Sequence, residues 1–263
     1  MRNNQPIGVF DSGVGGLSIL RELEKLLPKE NFIFFADQKN VPYGEKSKKE
    51  LNKFMVNVVD YLVGKHNIKM FVIACNTATC YTIKELRERY DIPLVGTEPA
   101  IKPATLGTKT GTIAVISTPA TSKSKTIKKL IRDYGDGITV MNIGCPNLEN
   151  TVEKGSINNP EVHKLLRKYL EVVKNSKADQ LVLGCTHYPF LRKAIGKILG
   201  RKIELVDSGK AIARRTKGLL KTHQIGNKGK REATYFTTGD VKKFEKVASK
   251  LLKHKVFAKK VIL

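Results

Sequence analysis

The sequence predicts an α/β protein of two similar domains, each a largely parallel sheet flanked by helices, with the active cleft between them. Three observations carry this expectation. Short apolar strands alternate with amphipathic helical stretches. The first strand runs into a glycine-rich turn and then a helix, the usual unit of a parallel sheet. A strand, cysteine and helix block also occurs twice, with Cys75 and Cys185 110 positions apart.

Taken in order, Ile7-Gly8-Val9-Phe10 reads as a buried strand, 11–16 as the turn, and Leu17, Leu20, Leu23 and Leu27 as the inward stripe of a helix. Phe32 to Phe35 is a second strand, 48–63 a helix and Met70 to Ala74 a third strand. The strand ending in Cys75-Asn76-Thr77 leads to a helix over 81–90 and a strand over 93–97. Its echo is Leu181-Val182-Leu183-Gly184, ending in Cys185-Thr186-His187, then a helix over 189–199 and a strand over 203–208. A fainter echo sets Ile7 to Ser12 against Ile113 to Thr118.

Pro99 and Pro103 punctuate a boundary near 97–103, and a second crossing falls near 206–210. The expected domains are therefore 1–97 with 210–263, and 98–209. The closing segment reads as a helix over 211–221, a polar loop over 225–230 and a strand over 233–237. A helix over 240–252 follows, docked through Val241, Phe244, Val247 and Leu251, and then a last strand within 256–263.

With 263 residues and 41% hydrophobic content, the chain is large enough for cores that fold unaided. No apolar run approaches the roughly 20 residues of a membrane helix, and the first residues lack the apolar core of a signal peptide. The expected location is the cytoplasm. Four cysteines, Cys75, Cys80, Cys145 and Cys185, are too few for a disulfide framework. Cys80 and Cys145 read as small core residues.

A net charge of +24 raises the question of nucleic acid. The excess is lysine spread over solvent faces, as in Lys46-Ser47-Lys48-Lys49 and Lys128-Lys129, with no Trp and no basic run interleaved with aromatics. A solvated basic surface, binding polyanions weakly and without specificity, is the expectation. Steering of an anionic substrate is a further use of that charge.

Chemistry is expected at strand ends, where helix N-termini offer unpaired N–H groups. Cys75 and Cys185 both hold such positions, and a nearby helix N-terminus can lower a thiol pKa from about 8.5 towards neutrality. Two thiols facing one substrate suit a racemisation, in which a carbanion loses its proton on one face and regains it on the other. Zinc is disfavoured, because Cys75 and Cys80 point to different helix faces and Cys185-Thr186-His187 has no partner pair at ligand spacing. Gly13-Val14-Gly15-Gly16 lacks the spacing of a dinucleotide fingerprint and fits close backbone approach to a small ligand. Asp11 also reads as a helix N-cap, and His187 taken alone as a structural histidine.

The segments Val9 to Leu17, Pro42-Tyr43-Gly44, Ala74 to Ala78 and Gly184 to Pro189, continued by Val206 to Gly209 and Phe236 to Asp240, resemble the signature segments of bacterial glutamate racemases. The resemblance spans nearly the whole chain. It implies that Cys75 and Cys185 are the paired acid and base, with Asp11 and His187 as polar helpers beside them. It further implies that Ser12, Tyr43, Gly44, Asn76, Thr77, Thr118, Thr121 and Thr186 hold the substrate, along with Asp11 and His187. Glu153 matches a third acidic position of the family, although Asn147-Leu148-Glu149-Asn150 before it is more polar than the family pattern. The implied activity is interconversion of L- and D-glutamate without cofactor or metal, supplying D-glutamate for peptidoglycan. A homodimer is the expected assembly. The alternatives are a racemase of aspartate or another amino acid and, from a different class, a basic-surface nucleic-acid-binding protein.

Overall fold

The computed structural model describes residues 4–227 and 232–263. Residues 228–230 of the polar loop, and the first three residues of the chain, lie outside the described residues. The chain divides into two compact units, Met1–Thr97 with Gly209–Leu263, and Glu98–Ser208.

In the first unit β1 (Ile7–Asp11), α1 (Leu17–Leu26), β2 (Phe32–Ala36), α2 (Lys48–His66), β3 (Met70–Ile73), α3 (Asn76–Arg89) and β4 (Leu94–Gly96) alternate. The second unit contains α4 (Ile101–Gly107), β5 (Thr112–Ser117), α5 (Pro119–Lys123), α6 (Lys125–Tyr134) and β6 (Thr139–Gly144). It continues with α7 (Leu148–Glu153), α8 (Pro160–Lys174), β7 (Gln180–Leu183), α9 (Arg192–Leu199) and β8 (Glu204–Val206). The chain then re-enters the first unit as α10 (Gly209–Thr222), β9 (Ala233–Thr237), α11 (Val241–Leu252) and β10 (Ala258–Lys260).

All strand pairs are parallel, in the orders β10-β9-β2-β1-β3-β4 and β6-β5-β7-β8. Four neighbouring strands of the first sheet, β2-β1-β3-β4, thus repeat the order of the second. The sequence echoes fall on matching strands: β1 corresponds to β5, and β3, which leads to Cys75, corresponds to β7, which leads to Cys185.

Strands β1, β2 and β3 of the first sheet are buried along their length, so their apolar residues pack on both faces. On one side Phe10, Ile33, Phe35, Phe71 and Ile73 meet Leu51, Met55, Val58 and Leu62 of α2 in one cluster. Phe34, one residue out of phase with Phe35, instead stacks on Phe244 of α11 at 6.3 Å. Helix α11 buries Phe244, Ala248 and Leu251, while Val241 and Val247 of its expected inward face are only half-buried. In the second unit Ile113, Val115 and Val182 pack on Ile101 and Ala104 of α4 and Ile127 of α6.

Local chemistry sets the helix ends. Ser47 and Glu50 form a reciprocal capping box at the start of α2, and Asn67 closes the helix at φ 51°. Helix α3 starts at Asn76, five residues before the expected Tyr81, because Cys75 itself caps it: the Ala78 N–H donates to Cys75 Sγ at 3.4 Å. The small polar run Asn76 to Thr79 hides this start from apolar periodicity. The expected helix over 189–199 is a 3₁₀ turn, Tyr188–Leu191, followed by α9. The sheet-edge strands β4, β8 and β10 are only three residues long, shorter than expected.

Candidate functional site

In the first unit β1, β2 and β3 end side by side, and the polar residues just beyond them form one group. Asp11, the last residue of β1, is fully buried, and its Oδ2 accepts the Gly13 N–H at 3.0 Å. The turn can fold back this tightly because residue 16 is glycine: a Cβ there would lie 2.6 Å from Asp11 Cβ and 3.0 Å from Ala74 Cβ. Cys75 is 6% exposed, with Sγ 3.7 Å from the Ser12 hydroxyl. Its position at the N-terminus of α3 places it where the helix dipole favours an anion.

Tyr43 is buried nearby and donates its hydroxyl to Asp37 Oδ2 at 2.6 Å. Burial pushes its pKa well up, the Asp37 carboxylate adds to that, and Cys75 and Asp11 contribute further. Tyr43 is therefore a neutral donor at physiological pH. Asp37 sits just past β2 and is 1% exposed; it also accepts from Thr238 Oγ1 at 2.8 Å, and its backbone N–H donates to the Asp11 carbonyl at 3.0 Å. The sequence reading missed Asp37. Its signal was an acid directly after the apolar run Phe32 to Ala36, as Asp11 directly follows the run Ile7 to Phe10.

Other residues of the expected set take different positions. The Asn76 amide donates to the Thr97 carbonyl at 3.1 Å, and Thr77 is buried in the first turn of α3. Gly44, in the 3₁₀ turn Tyr43–Glu45, is exposed.

The second unit builds a different environment around its cysteine. Cys185 is 7% exposed, and its Sγ lies 3.5 Å from Nδ1 of His187. The opposite ring nitrogen, Nε2, lies 2.6 Å from Oε1 of Glu153, at the end of α7. Burial pushes the Cys185 thiol pKa up, against the pull of His187. This corrects the expectation of a thiol acidified by a helix N-terminus: a 3₁₀ turn follows Cys185, and burial outweighs the single imidazole. Burial by itself would lower the His187 pKa, but the cysteine sulfur and the Glu153 carboxylate outweigh it and raise the pKa well above its usual value. The Cys185 sulfur is the larger of these two influences on the imidazole, and Glu153 holds the ring from its far side.

Thr118 and Thr121 hydrogen-bond each other through their hydroxyls at 3.1 Å, with Thr118 capping α5 just past β5. Thr186 is buried between Cys185 and His187. Cys145 is fully buried after β6, and burial followed by Cys185 pushes its thiol pKa to about 12. Cys80, expected in the core, is only half-buried on α3. Among the described residues, no group of three or more His, Cys, Asp or Glu side chains is arranged to hold a metal ion. Nor is any described helix long and apolar enough to cross a membrane.

Two parallel sheets of shared strand order, each leading its equivalent strand into a buried cysteine with its own polar partners, form the frame of a racemase-type α/β protein. The chain belongs to the Asp/Glu/Hydantoin racemase family, whose model matches residues 7–216. It is 40% identical over 253 residues to the glutamate racemase of Ectopseudomonas mendocina (strain ymp), covering 95% of this chain and 96% of the relative. Among solved structures, it is similar to glutamate racemase isoform RacE1 of Bacillus anthracis, with a TM-score of 0.91, 33% identity and coverage of 99% of this chain and 98% of the other. It is also similar to the Escherichia coli glutamate racemase in complex with L-glutamate and the activator UDP-MurNAc-ala, at a TM-score of 0.87 and 31% identity over 98% of this chain and 99% of that one.

Proposed function

We propose that this protein interconverts L- and D-glutamate by moving the α-proton between Cys75 and Cys185, without pyridoxal phosphate or metal. The observation that carries the reading is the repeat itself: equivalent strands of two like sheets each end in a buried thiol, and each thiol has a different set of polar partners.

One thiol, as thiolate, removes the α-proton and becomes a thiol. The electron pair remains on a planar carbanion conjugated with the α-carboxylate. The second thiol then gives its proton to the opposite face and is left as thiolate, so the enzyme ends one proton transfer away from its starting state. Ser12 and Asp11 serve the Cys75 side. On the Cys185 side, His187 and Glu153 offer an imidazolium that stabilises the thiolate as it forms. Asn76, Thr77, Tyr43, Gly44, Thr118, Thr121 and Thr186 supply hydroxyl, amide and backbone groups for the carboxylates and ammonium of the substrate.

The biological role that follows is supply of D-glutamate for peptidoglycan. The reading carries a cytoplasmic location, suited to four free thiols, a homodimer, and only weak, counterion-driven contact with polyanions. Incubation of the purified protein with L-glutamate in deuterium oxide tests it. D-glutamate carrying α-deuterium is the expected product, and activity should withstand chelators and carbonyl-trapping reagents. Turnover of aspartate with glutamate left untouched would overturn the substrate assignment.

A further inference from the structure

A cavity of about 620 Å³ opens in the first unit beyond the carboxyl ends of β2, β9 and β10. Parallel sheets collect ligands at this edge, and the volume is that of a small-molecule site. Lys39, Lys53 and Lys260, all solvent-exposed, line it together with Phe54 and Ile262.

The lysine excess of this chain is spread over solvent faces, and three of these lysines border one concavity. Lys260 is held in place by donating to the carbonyls of Thr238, at 2.6 Å, and Gly239. No carboxylate among the described residues pairs with Lys39 or Lys53. Ile262 is 86% exposed, an apolar surface left open to water beside the charges. Asp37 in the wall keeps its negative charge while accepting from Asn40, Tyr43 and Thr238, and the lysines outnumber it.

We propose that this cavity binds a small organic phosphate. Lys39 and Lys53 would engage the phosphate as point charges, and Phe54 and Ile262 would cover its apolar body. Two ammoniums suit a phosphate, with its charge of about −1.5 to −2, better than a single carboxylate. Occupancy acts on the Cys75 group through Asp37, which lines the cavity while its carboxylate holds Tyr43 and its N–H holds Asp11. Only this coupling rests on the proposed racemase activity; the binding does not.

Calorimetric titration of the full-length protein with adenosine monophosphate, beside inorganic phosphate, tests the site. The expected result is saturable binding of the nucleotide, tighter than that of inorganic phosphate. A Lys39→Gln/Lys53→Gln double variant should bind it about tenfold more weakly, with an unchanged melting curve. The nucleotide should also shift the KM or kcat for glutamate in the wild type. No saturable binding below about 10 mM, or equal binding by the double variant, overturns the site. Lysine-dependent binding that leaves both constants unchanged in an active enzyme overturns the coupling alone. Lysine-dependent binding to a protein that does not racemise glutamate upholds the site and sinks the activity.

Discussion

Nε2 of His187 lies 2.6 Å from Oε1 of Glu153, so the histidine beside Cys185 is joined on its far side to a carboxylate. The folded-state pKa of His187 is raised above 6.5, and the stabilisation linked to its charge is fully present below that pH. That stabilisation is lost as pH rises through the folded pKa. Glu153→Gln removes that carboxylate and leaves only the Cys185 sulfur to oppose burial, so His187 should titrate at lower pH. Ring-proton NMR titration reads this directly. The melting-temperature gap between wild type and variant should narrow as the pH is raised above neutrality. A gap independent of pH would contradict the assigned cause.

The family resemblance gives a direction to the two thiols, with Cys75 taking the proton from D-glutamate and Cys185 from L-glutamate. Serine is a much weaker base, so each Cys→Ser variant should slow its own abstraction most, within a loss of about 10²- to 10⁴-fold. Cys75→Ser should raise the primary isotope effect with α-deuterated D-glutamate, and Cys185→Ser with the L-isomer. Full activity in either variant would refute the two-thiol mechanism.

Gly16→Ala would force a methyl group against Asp11 and Ala74. Overpacking of this kind costs about 1–3 kcal/mol, and relief requires the end of β1 to move. The variant should fold, by circular dichroism, but lose activity well beyond its fall in melting temperature. Wild-type activity in Gly16→Ala would show that the Asp11 position is not demanding.

At the opposite end of the sheet Lys69, fully buried just before β3, meets Glu30 at 2.6 Å, and Glu30 also accepts the Asn227 N–H at 2.7 Å. Lys69→Met leaves a buried carboxylate without its cation and should cost about 3–5 kcal/mol in denaturant unfolding. Because the pair lies at the amino end of the strands, kcat should stay near the wild-type value under native conditions.

Strand, turn and helix alternation made the parallel sheets legible, and the repeated cysteine block marked the two equivalent strands. The start of α3 was not legible, because a cysteine cap and the run Asn76 to Thr79 carry no apolar period. Asp37 escaped for a different reason: its partners Tyr43 and Thr238 meet only after folding, Thr238 from 201 positions away. Burial of Cys185, which reverses the expected direction of its acidity, depends on packing around Tyr188 and Cys145 that no local pattern encodes.

The interruption of the first sheet has a consequence for how the chain is made. Strand β9 pairs with β2, Phe32 against Ala233, and everything needed for the second sheet is translated between them. The ribosome therefore releases a continuous Glu98–Ser208 segment before the earlier residues have their full set of partners. Closing so long a loop carries a large entropic cost, which falls if the intervening segment is already compact. Co-translational folding should thus proceed from the middle outward: the half carrying Cys185 becomes protease-resistant on the nascent chain while β2 still has an open edge waiting for β9.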